Sequence, residues 1–564
     1  MKSKIVLPVI LLPVILIMGC RKLSVPVESQ YTPANFPTTA ADYTAAIGPI
    51  YTSLANNSSG TRYAVEYWRM QELSTDEAII PARDGNYDDG GQYRFLHLHT
   101  WSGDHPDVIS VWEWGFGAIS TCNSLVNLFN AAPASSTKAG ALAEVRAMRD
   151  LFYFFMMDLY GNVPIIDTFP VPGSPPTAPR AQVFQFIVND LTAQLPYLST
   201  SVNATTYGRA TKYMAFALLE KMYLNAQVYT GTPMYTQAVA MADSIQTGNN
   251  YSLDANYGSV FAPTNGPQVK ETIFAVPYDA YLIPGDQFVR YGFLAYVYPI
   301  YGLPVPCSVA MSTDSGFYHQ NFVLPGDIRD TFWVRGTQTY FPGETTSAIS
   351  TSLYPPALLP YLDAYFPLAI FPTTNATLNS NYTGSSPNSL ILWPITVTDS
   401  LVLQGDPANM DVGDDILAQC EGIRSKKYYP DPNENPQTED ANNDVPVFRL
   451  GDVLLMKAEA ILRGAPATTV NGVLQTPVVL VNMVRSRVSA KLATTVTLDS
   501  LLPERARELS WEGWRRNDLI RFGQFEGAWG FKTADPGETY KEIYPVPDEE
   551  LSLNAKLVQN PGYQ

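Results

Sequence analysis

Histidines grouped in one loop are the first residues of this 564-residue chain whose types suit metal chemistry. His97, His99 and His105 stand in HLHTWSGDHPD, which is close to a His-x-His-x-Asp-His metal motif. That motif needs Asp and His where Trp101 and Ser102 stand, so the spacing argues against a bound metal ion. We expect these histidines to be ordinary loop or strand residues.

The run DGNYDDGG begins like a calcium-binding loop, with Asp84, Asn86 and Asp88 at positions 1, 3 and 5. Asp89 replaces the glycine needed at position 6, and Phe95 stands where a bidentate Glu belongs, so the run fails as an EF-hand. No cofactor is therefore predicted. A loosely bound Ca²⁺ stays open, because oxygen ligands are abundant and calcium geometry is flexible.

Catalytic motifs are missing from the chain: it has no G-x-S-x-G, H-E-x-x-H, C-x-x-C, Walker A or G-x-G-x-x-G run. A glycosidase, however, needs only two carboxylates in a cleft, and 53 acidic residues cannot exclude such a pair by counting. The residues alone leave hydrolysis open.

Loops rich in aromatic and acidic residues suit the recognition of a sugar. Sugar rings offer apolar C–H faces to a flat aromatic side chain and hydroxyl edges to carboxylates and amides. The candidate ligand-binding residues are Trp101, Asp76, Asp84, Asn86, Asp88, Tyr291, Tyr296, Tyr298 and Trp333. Trp101 is the first choice, because it stands in a polar loop without an apolar partner three or four residues on. The alternative is that Trp101 fills the core, as tryptophan does on average.

The composition of the chain limits the classes of partner that it can bind. The chain is 46% hydrophobic, enough for a large core, and its formal net charge of -17 would repel a phosphate backbone. Nucleic acid is therefore not expected as a partner.

The N-terminus has the features of an export signal. Lys2 and Lys4 precede an uncharged run over residues 5–18 that is too short to span a membrane, so residues 1–19 are predicted to be a signal peptide. Gly19 and Cys20 then match a lipoprotein processing site, which predicts a lipidated Cys20 and a tether over residues 20–40. A plain secretory signal with an incidental cysteine is the alternative. Among the other cysteines, Cys122 is expected to be a buried apolar residue, and a disulfide between Cys307 and Cys420 stays open.

The N-terminal half shows helical periodicity. Helices are predicted near residues 42–55, 108–130, 138–160, 180–198, 207–229 and 233–247. Several end in a glycine with a nearby proline, as in DLYGNVP and VYTGTPMY, and small residues between them permit close approach. This pattern is similar to tetratricopeptide-type helix pairs without a fixed 34-residue period. Between about 265 and 445 the period fades, and KETIFAVPYD predicts a short strand.

The C-terminal part, from Pro446 to Gln564, is the most regular. PVFRLGDVLLMKAEAILRG has the stripe of an amphipathic helix, and PVVLVNMVRSRV predicts a second helix. LLPERARELSWEGWRRNDLIRFGQF predicts a charged helix in which Glu512, Arg515 and Arg516 favour a solvated face. YPVPDEELSLNAKLVQNPGYQ predicts a strand-like segment followed by a docked tail.

These segments resemble the SusD/RagB family of nutrient-binding outer-membrane lipoproteins, which carries a helix like RLGDVLLMKAEA, an ER..EL..EG.R..DLIR helix and a terminal QNPGY. EVRAMRDLFYFFMMDLYGNVP and YGRATKYMAFALLEKMYLNAQVY are similar to its first half. The resemblance implies a mainly α, SusD-like fold with tetratricopeptide-type helix pairs as scaffold, long loops and a few short strands. It also implies one compact body built from an N-terminal part, 41–264, and a C-terminal part, 265–564.

The resemblance implies a function without catalysis. A lipoprotein anchored in the outer membrane by its lipid would capture an oligosaccharide at the cell surface and deliver it to a SusC-like TonB-dependent β-barrel transporter. Surface-exported members often carry acidic residues after the lipidated cysteine, whereas Arg21 and Lys22 stand here, so a periplasmic location stays open. The alternatives are a surface glycoside hydrolase or peptidase, and a helical-repeat protein that only assembles other proteins.

Overall fold

The computed structural model describes residues 36–55, 61–294, 301–340, 369–371 and 390–563. The predicted signal peptide, Cys20, most of the tether, Tyr296 and Tyr298 lie outside these ranges. No helix in the described ranges combines the length and the apolar composition that crossing a bilayer requires.

Helices are the main elements of the described chain, which confirms the predicted mainly α fold. They are α1 (Ala40–Ala55), α2 (Trp68–Glu72), α3 (Gln92–His97), α4 (Pro106–Ala131), α5 (Ser136–Tyr160), α6 (Arg180–Gln194), α7 (Lys212–Leu224), α8 (Ala226–Thr230), α9 (Tyr235–Gln246), α10 (Phe288–Gly292), α11 (Ser315–Asn321), α12 (Ile416–Gln419), α13 (Leu450–Leu462), α14 (Pro477–Arg487), α15 (Leu498–Leu509), α16 (Arg515–Arg521) and α17 (Asp548–Leu553). A π-helical turn, Tyr63–Tyr67, runs into α2.

The strands are short, as predicted. They are β1 (Ala78–Ile79), β2 (Val163–Pro164), β3 (Thr177–Ala178), β4 (Thr272–Val276), β5 (Ser312–Thr313), β6 (Trp333–Val334), β7 (Gly336–Tyr340), β8 (Ala369–Phe371), β9 (Leu390–Val397), β10 (Arg424–Ser425), β11 (Val445–Arg449), β12 (Thr468–Val470) and β13 (Val473–Gln475). All pairs are antiparallel: β1 with β5, β2 with β3, β4 with β11, β6 with β10, β12 with β13, and β9 with both β7 and β8.

The N-terminal helices form where the periodicity predicts them, and local caps set their ends. Pro106 opens α4 behind His105, whose ring accepts the Asp107 N–H, and the Ser135 side chain caps α5. The predicted helix over 207–229 starts later and breaks at Asn225, between α7 and α8. The end of α5 is buried on all sides because α1, α4, α6 and α7 pack around it.

Contacts join the two predicted parts of the chain. α13 of the C-terminal part packs on both α7 and α9 of the N-terminal part. Within the C-terminal part, β4, which confirms the strand predicted in KETIFAVPYD, pairs with β11. The division after residue 264 stays a prediction. Cys122, Cys307 and Cys420 are all buried, and Cys307 is a free thiol, so the disulfide between Cys307 and Cys420 does not form in this structure.

The charged C-terminal helix was predicted incorrectly in two respects. It breaks into α15 and α16 at a turn where Trp511 has a φ of 61°. Its charged residues Glu512, Arg515 and Arg516 are buried instead of solvated. Glu512 accepts hydrogen bonds from Arg449 and Lys427, because burial between distant segments supplies partners that local spacing does not show.

The end of the chain is helical where a strand-like segment was predicted, since Asp548–Leu553 forms α17. The docked tail after it is confirmed. The Asn560 side-chain amide donates to the carbonyl oxygens of Tyr160, at 2.6 Å, and Tyr544, at 2.7 Å. These bonds hold the last residues against the helical body.

Candidate functional site

A groove of about 770 Å³ opens between α11, the end of α16 and the loop that follows α16. Its volume lies within the ~300–1,000 Å³ of typical ligand sites. The residues that line it are Asp76, Asp314, Gly316, Phe317, Gln320, Leu519, Gly523, Gln524, Glu526, Gly527, Ala528, Trp529, Gly530, Pro536, Gly537 and Thr539. Carboxylates, side-chain amides and two aromatic rings therefore face one cavity.

Asp314 forms one wall of the groove at the start of α11. One carboxylate oxygen, Oδ1, accepts the N–H groups of Gly316, at 2.7 Å, and Phe317, at 3.2 Å, as a helix cap. A Cβ built on Gly530 would lie 2.6 Å from the other oxygen, Oδ2, which places that oxygen against the opposite wall. Burial raises the pKa of the Asp314 carboxyl above its usual range, and the nearby Asp76 adds to this.

The opposite wall is a tight turn from Trp529 to Lys532. Each end donates its N–H to the carbonyl of the other, at 3.2 and 2.7 Å. Gly530 has a φ of 46°, a conformation that a glycine adopts without steric cost. Without a side chain at Gly530, the turn can approach Asp314 and His97 closely.

Trp529 is the half-buried aromatic residue of this turn. Lys532 Nζ lies 4.3 Å from the ring centroid as a cation–π contact, and the His99 ring meets the indole edge-on at 5.3 Å. Among the described residues the buried indole N–H has no hydrogen-bond partner. The ring is thus held by Lys532 and His99 and borders the cavity, as a stacking platform requires.

Asp76, which lines the groove, forms an ion pair with Arg515. Arg515 Nε and Nη2 donate to its two carboxylate oxygens at 2.7 and 2.6 Å. The same guanidinium lies 5.3 Å from the centroid of the Phe317 ring. This bidentate pair fixes Asp76 as a hydrogen-bond acceptor at the rim.

The groove's chemistry suits a polyhydroxylated ligand. Carboxylate and amide oxygens accept bonds from hydroxyls, and the Trp529 ring offers a flat apolar face. In the part of the chain that the structure describes, no three His, Cys, Asp or Glu side chains are grouped to hold a metal ion. The arrangement can accept a ligand of this kind.

Trp101, the first choice from the sequence, is not a platform in this structure. Its side chain is 6% exposed, its indole N–H donates to the Tyr563 hydroxyl at 2.8 Å, and its ring packs on Tyr544 at 4.5 Å. The C-terminal tail covers it, and the alternative of a core tryptophan is the correct one. His99 nevertheless connects Trp101 to Trp529, so Trp101 supports the groove from within the core.

Trp333 and Tyr291 also lie outside the groove. Trp333 is 7% exposed and packs against the edge of Phe317, behind the groove wall. Its burial contradicts a direct role in ligand stacking. Tyr291 is partly buried beside Trp68 and Met311, in a separate recess of about 20 Å³ that is too small for a sugar ring.

The acidic loop with Asp84, Asn86 and Asp88 lies outside the groove. The Asp84 N–H and the Asn86 side-chain amide donate to Asp411 and Asp414, and Asp88 pairs with Arg94. These contacts give the three candidates different partners and do not gather them around one centre. Of the predicted residues that the structure describes, Asp76 alone lines the groove.

The sequence reasoning missed Asp314, Phe317, Gln320, Gln524, Glu526 and Trp529. The signal available was the run GQFEGAWGF after α16, where glycines alternate with aromatic and acidic residues. The start of that run belongs to the charged helix that the sequence predicts. Asp314 carries no comparable local signal.

Comparisons with known proteins agree with this architecture. Residues 404–563 match the sequence model of the SusD family. The chain is 25% identical over 469 residues to the starch-binding protein SusD of Bacteroides thetaiotaomicron. The aligned region covers 80% of this chain and 78% of that protein.

Solved structures show the same fold. A SusD superfamily protein from Parabacteroides distasonis superimposes with a TM-score of 0.68 at 19% identity, over 93% of this chain and 100% of that one. A laminarin-binding SusD-like protein superimposes with a TM-score of 0.67 at 20% identity, over 93% and 99%. The predicted resemblance and fold class are confirmed.

Proposed function

We propose, starting from the resemblance to the SusD/RagB family, that this chain is a glycan-binding protein. It would hold an oligosaccharide in the groove beside Trp529. The observation that carries the proposal is the half-buried Trp529 ring facing Asp76, Asp314 and side-chain amides across one cavity. The relatives named for starch and laminarin binding support a glycan as the ligand class.

The geometry favours binding over hydrolysis. A glycosidase needs one carboxyl to donate a proton while a second attacks or activates water. Asp76 is held in a bidentate pair with Arg515, and Asp314 Oδ1 is engaged as a helix cap. Of the three carboxyl groups among the described lining residues, only Glu526 is then left, and one carboxyl does not make the required pair. Release of reducing sugar by the purified protein would contradict this part of the proposal.

The location and the partner belong to the same proposal. Gly19-Cys20 supports a lipid anchor in the outer membrane, and the family resemblance supports delivery to a SusC-like TonB-dependent transporter at the cell surface. Cys20→Ala should move the protein from the detergent phase to the aqueous phase. The native protein, extracted in mild detergent, should co-purify with a large β-barrel, and recovery only as a free monomer would count against the partner.

The decisive experiment is a glycan array followed by calorimetry with the best neutral oligosaccharide. Trp529→Ala should weaken binding by about 1–3 kcal/mol, a scale taken from aromatic stacking on nucleic-acid bases, with little loss of thermal stability. The control is Tyr281→Ala, an aromatic residue 64% exposed and outside the groove, which should bind as the wild type does. Equal affinity for Trp529→Ala and wild type would remove the groove as the site, and tight protein partners without glycan binding would favour the assembly alternative.

A further inference from the structure

We infer that the groove accepts oligosaccharides without acidic groups and rejects those that carry carboxylate or sulfate substituents. The inference rests on the proposed function and specifies its ligand class. It follows from the charges of the groove, which are all of one sign.

Among the residues that the structure describes, the lining carries acidic side chains and no basic ones. Asp76, Asp314 and Glu526 border the cavity, whereas none of its described lining residues is Lys, Arg or His. Burial, with a smaller contribution from the nearby Asp76, raises the pKa of Asp314, in keeping with a wall that disfavours negative charge. A ligand anion would add to the same unfavourable field.

The cations next to the lining offer no exposed donor to a ligand. Arg515 Nε and Nη2 donate to Asp76, and its Nη1, which has no hydrogen-bond partner among the described residues, is buried away from the surface of the groove. Lys532 Nζ donates to the carbonyls of Gly527, at 2.7 Å, and Thr533, at 3.2 Å, and to Asp535 Oδ1, at 2.7 Å. Three bonds exhaust the three hydrogens of an ammonium group.

The neighbouring lysine is engaged as well. Lys541 Nζ pairs with Asp535, at 3.3 Å, and with Glu538. The whole chain has a formal charge of -17, so its long-range field also opposes the approach of an anion. An acidic glycan would therefore lose hydration in the groove without gaining an ion pair.

Neutral sugars, in contrast to acidic ones, find hydrogen-bond partners in the groove. Hydroxyl groups can donate to the oxygens of Asp314, Glu526 and Gln320, and an ionised carboxylate is a stronger acceptor than a neutral group. Trp529 supplies the apolar face. The residues that would exclude an acidic substituent are thus the ones that hold a hydroxyl.

The test compares two neutral glucans, starch and laminarin, with the same polymers after oxidation of their primary hydroxyls to carboxylates. Binding to the full-length protein is measured by affinity electrophoresis and calorimetry. We expect the oxidised polymer to bind at least about tenfold more weakly. The difference should shrink between about 0.01 M and 1 M salt, because the Debye length falls from ~30 to ~3 Å.

A double variant assigns the selectivity to the groove. Asp314→Asn with Glu526→Gln removes two charges, and asparagine still caps α11, so the preference for the neutral polymer should fall several-fold. The control, Asp104→Asn with Glu549→Gln, makes the same charge change at exposed sites outside the lining and should leave the preference intact. Where the double variant loses thermal stability, Glu526→Gln alone replaces it.

The outcomes separate the inference from the proposed function. Equal or tighter binding of the oxidised polymer overturns the inference and leaves glycan binding standing. A neutral preference that is the same in wild type and groove variant overturns the assignment to these carboxylates. If no glycan binds, neutral or acidic, on the array or here, the proposed function and the inference both fail.

Discussion

The indole N–H of Trp101 donates a hydrogen bond of 2.8 Å to the hydroxyl of Tyr563, a residue 462 positions further along the chain. Tyr563 in turn donates to the carbonyl of Ile543 at 2.8 Å. The last residues of the chain therefore close over a tryptophan that the loop around it would otherwise expose. This contact links the C-terminal tail to the core beneath the groove.

Trp101→Ala is expected to cost about 3–5 kcal/mol of stability, because it leaves a cavity against Tyr544 and His99. Glycan affinity in the folded fraction should stay close to that of the wild type. Calorimetric melting and binding at a temperature well below the transition test both statements. Tyr563→Phe is the milder companion and should cost about 1–3 kcal/mol, since it leaves the Trp101 N–H unpaired. A stable Trp101→Ala protein with lost affinity would restore Trp101 as a binding residue.

Gly530→Ala is expected to weaken glycan binding. The added Cβ would lie 2.6 Å from Asp314 Oδ2 and 3.0 Å from His97 Nε2, so the turn carrying Trp529 must shift. Gly472 is the matched control, since it also has a positive φ, of 80°, but a Cβ there meets no atom within 4 Å. Both variants should lose about 1–2 kcal/mol of stability from the strained backbone, while binding falls only for Gly530→Ala. Equal affinity of the two variants would show that the turn does not position the platform.

Glu77 is expected to make the protein less stable as pH rises. Burial raises its pKa from an ordinary 4.5 to about 8, and burial with repulsion from Glu77 raises the pKa of Glu72 well above the usual range. Between pH 4.5 and 8 the folded state keeps a proton that the unfolded chain releases, so stability is full below this window and falls across it. The slope contributed by Glu77 is at most about 1.4 kcal/mol per pH unit.

Glu77→Gln tests this dependence, because glutamine keeps an oxygen to accept the Trp511 N–H. The melting temperature of the variant should fall less than that of the wild type between pH 5 and 8 in parallel calorimetric scans. Below the window the two proteins should behave alike. There, burial opposes ionisation of Glu508, but Arg487, Arg449 and Arg329 hold its pKa below the usual range, so stability is lost as pH falls. Parallel melting curves up to pH 8 would contradict the assignment to Glu77.

Arg449 is expected to be essential for stability. Its guanidinium donates to Glu512 Oε2 at 2.6 Å, Glu271 Oε1 at 2.7 Å and Glu508 Oε1 at 2.6 Å, all of them buried. Arg449→Met removes the shared cation and should cost about 3–5 kcal/mol. Arg335→Met, at an exposed pair with Asp399, should cost at most about 1 kcal/mol. Similar melting temperatures for the two variants would show that the buried network is not coupled to folding.

Much of the scaffold follows from local pattern. The helical stripes around α4, α5 and α13 predict these helices closely, because a helix face repeats within a few residues and needs no distant partner to be recognised. The C-terminal motifs likewise indicate the family from the sequence. The role of a residue is harder to predict where its local sequence fits two environments. The polar loop around Trp101 fits both a stacking platform and a core residue.

The groove was decided by tertiary structure alone. Asp76 and its partner Arg515 are 439 positions apart, and Asp314 approaches Gly530 from a third segment. Glu512 has arginines at helical spacing, yet it binds Arg449 and Lys427. A buried carboxylate needs a partner that packs against it in the folded chain, and spacing along the sequence does not show which residue that is. The sequence by itself determined the helices and the resemblance to the SusD/RagB family. The folded chain decided which aromatic ring faces solvent and which carboxylates surround it, because exposure depends on what the distant tail and loops cover.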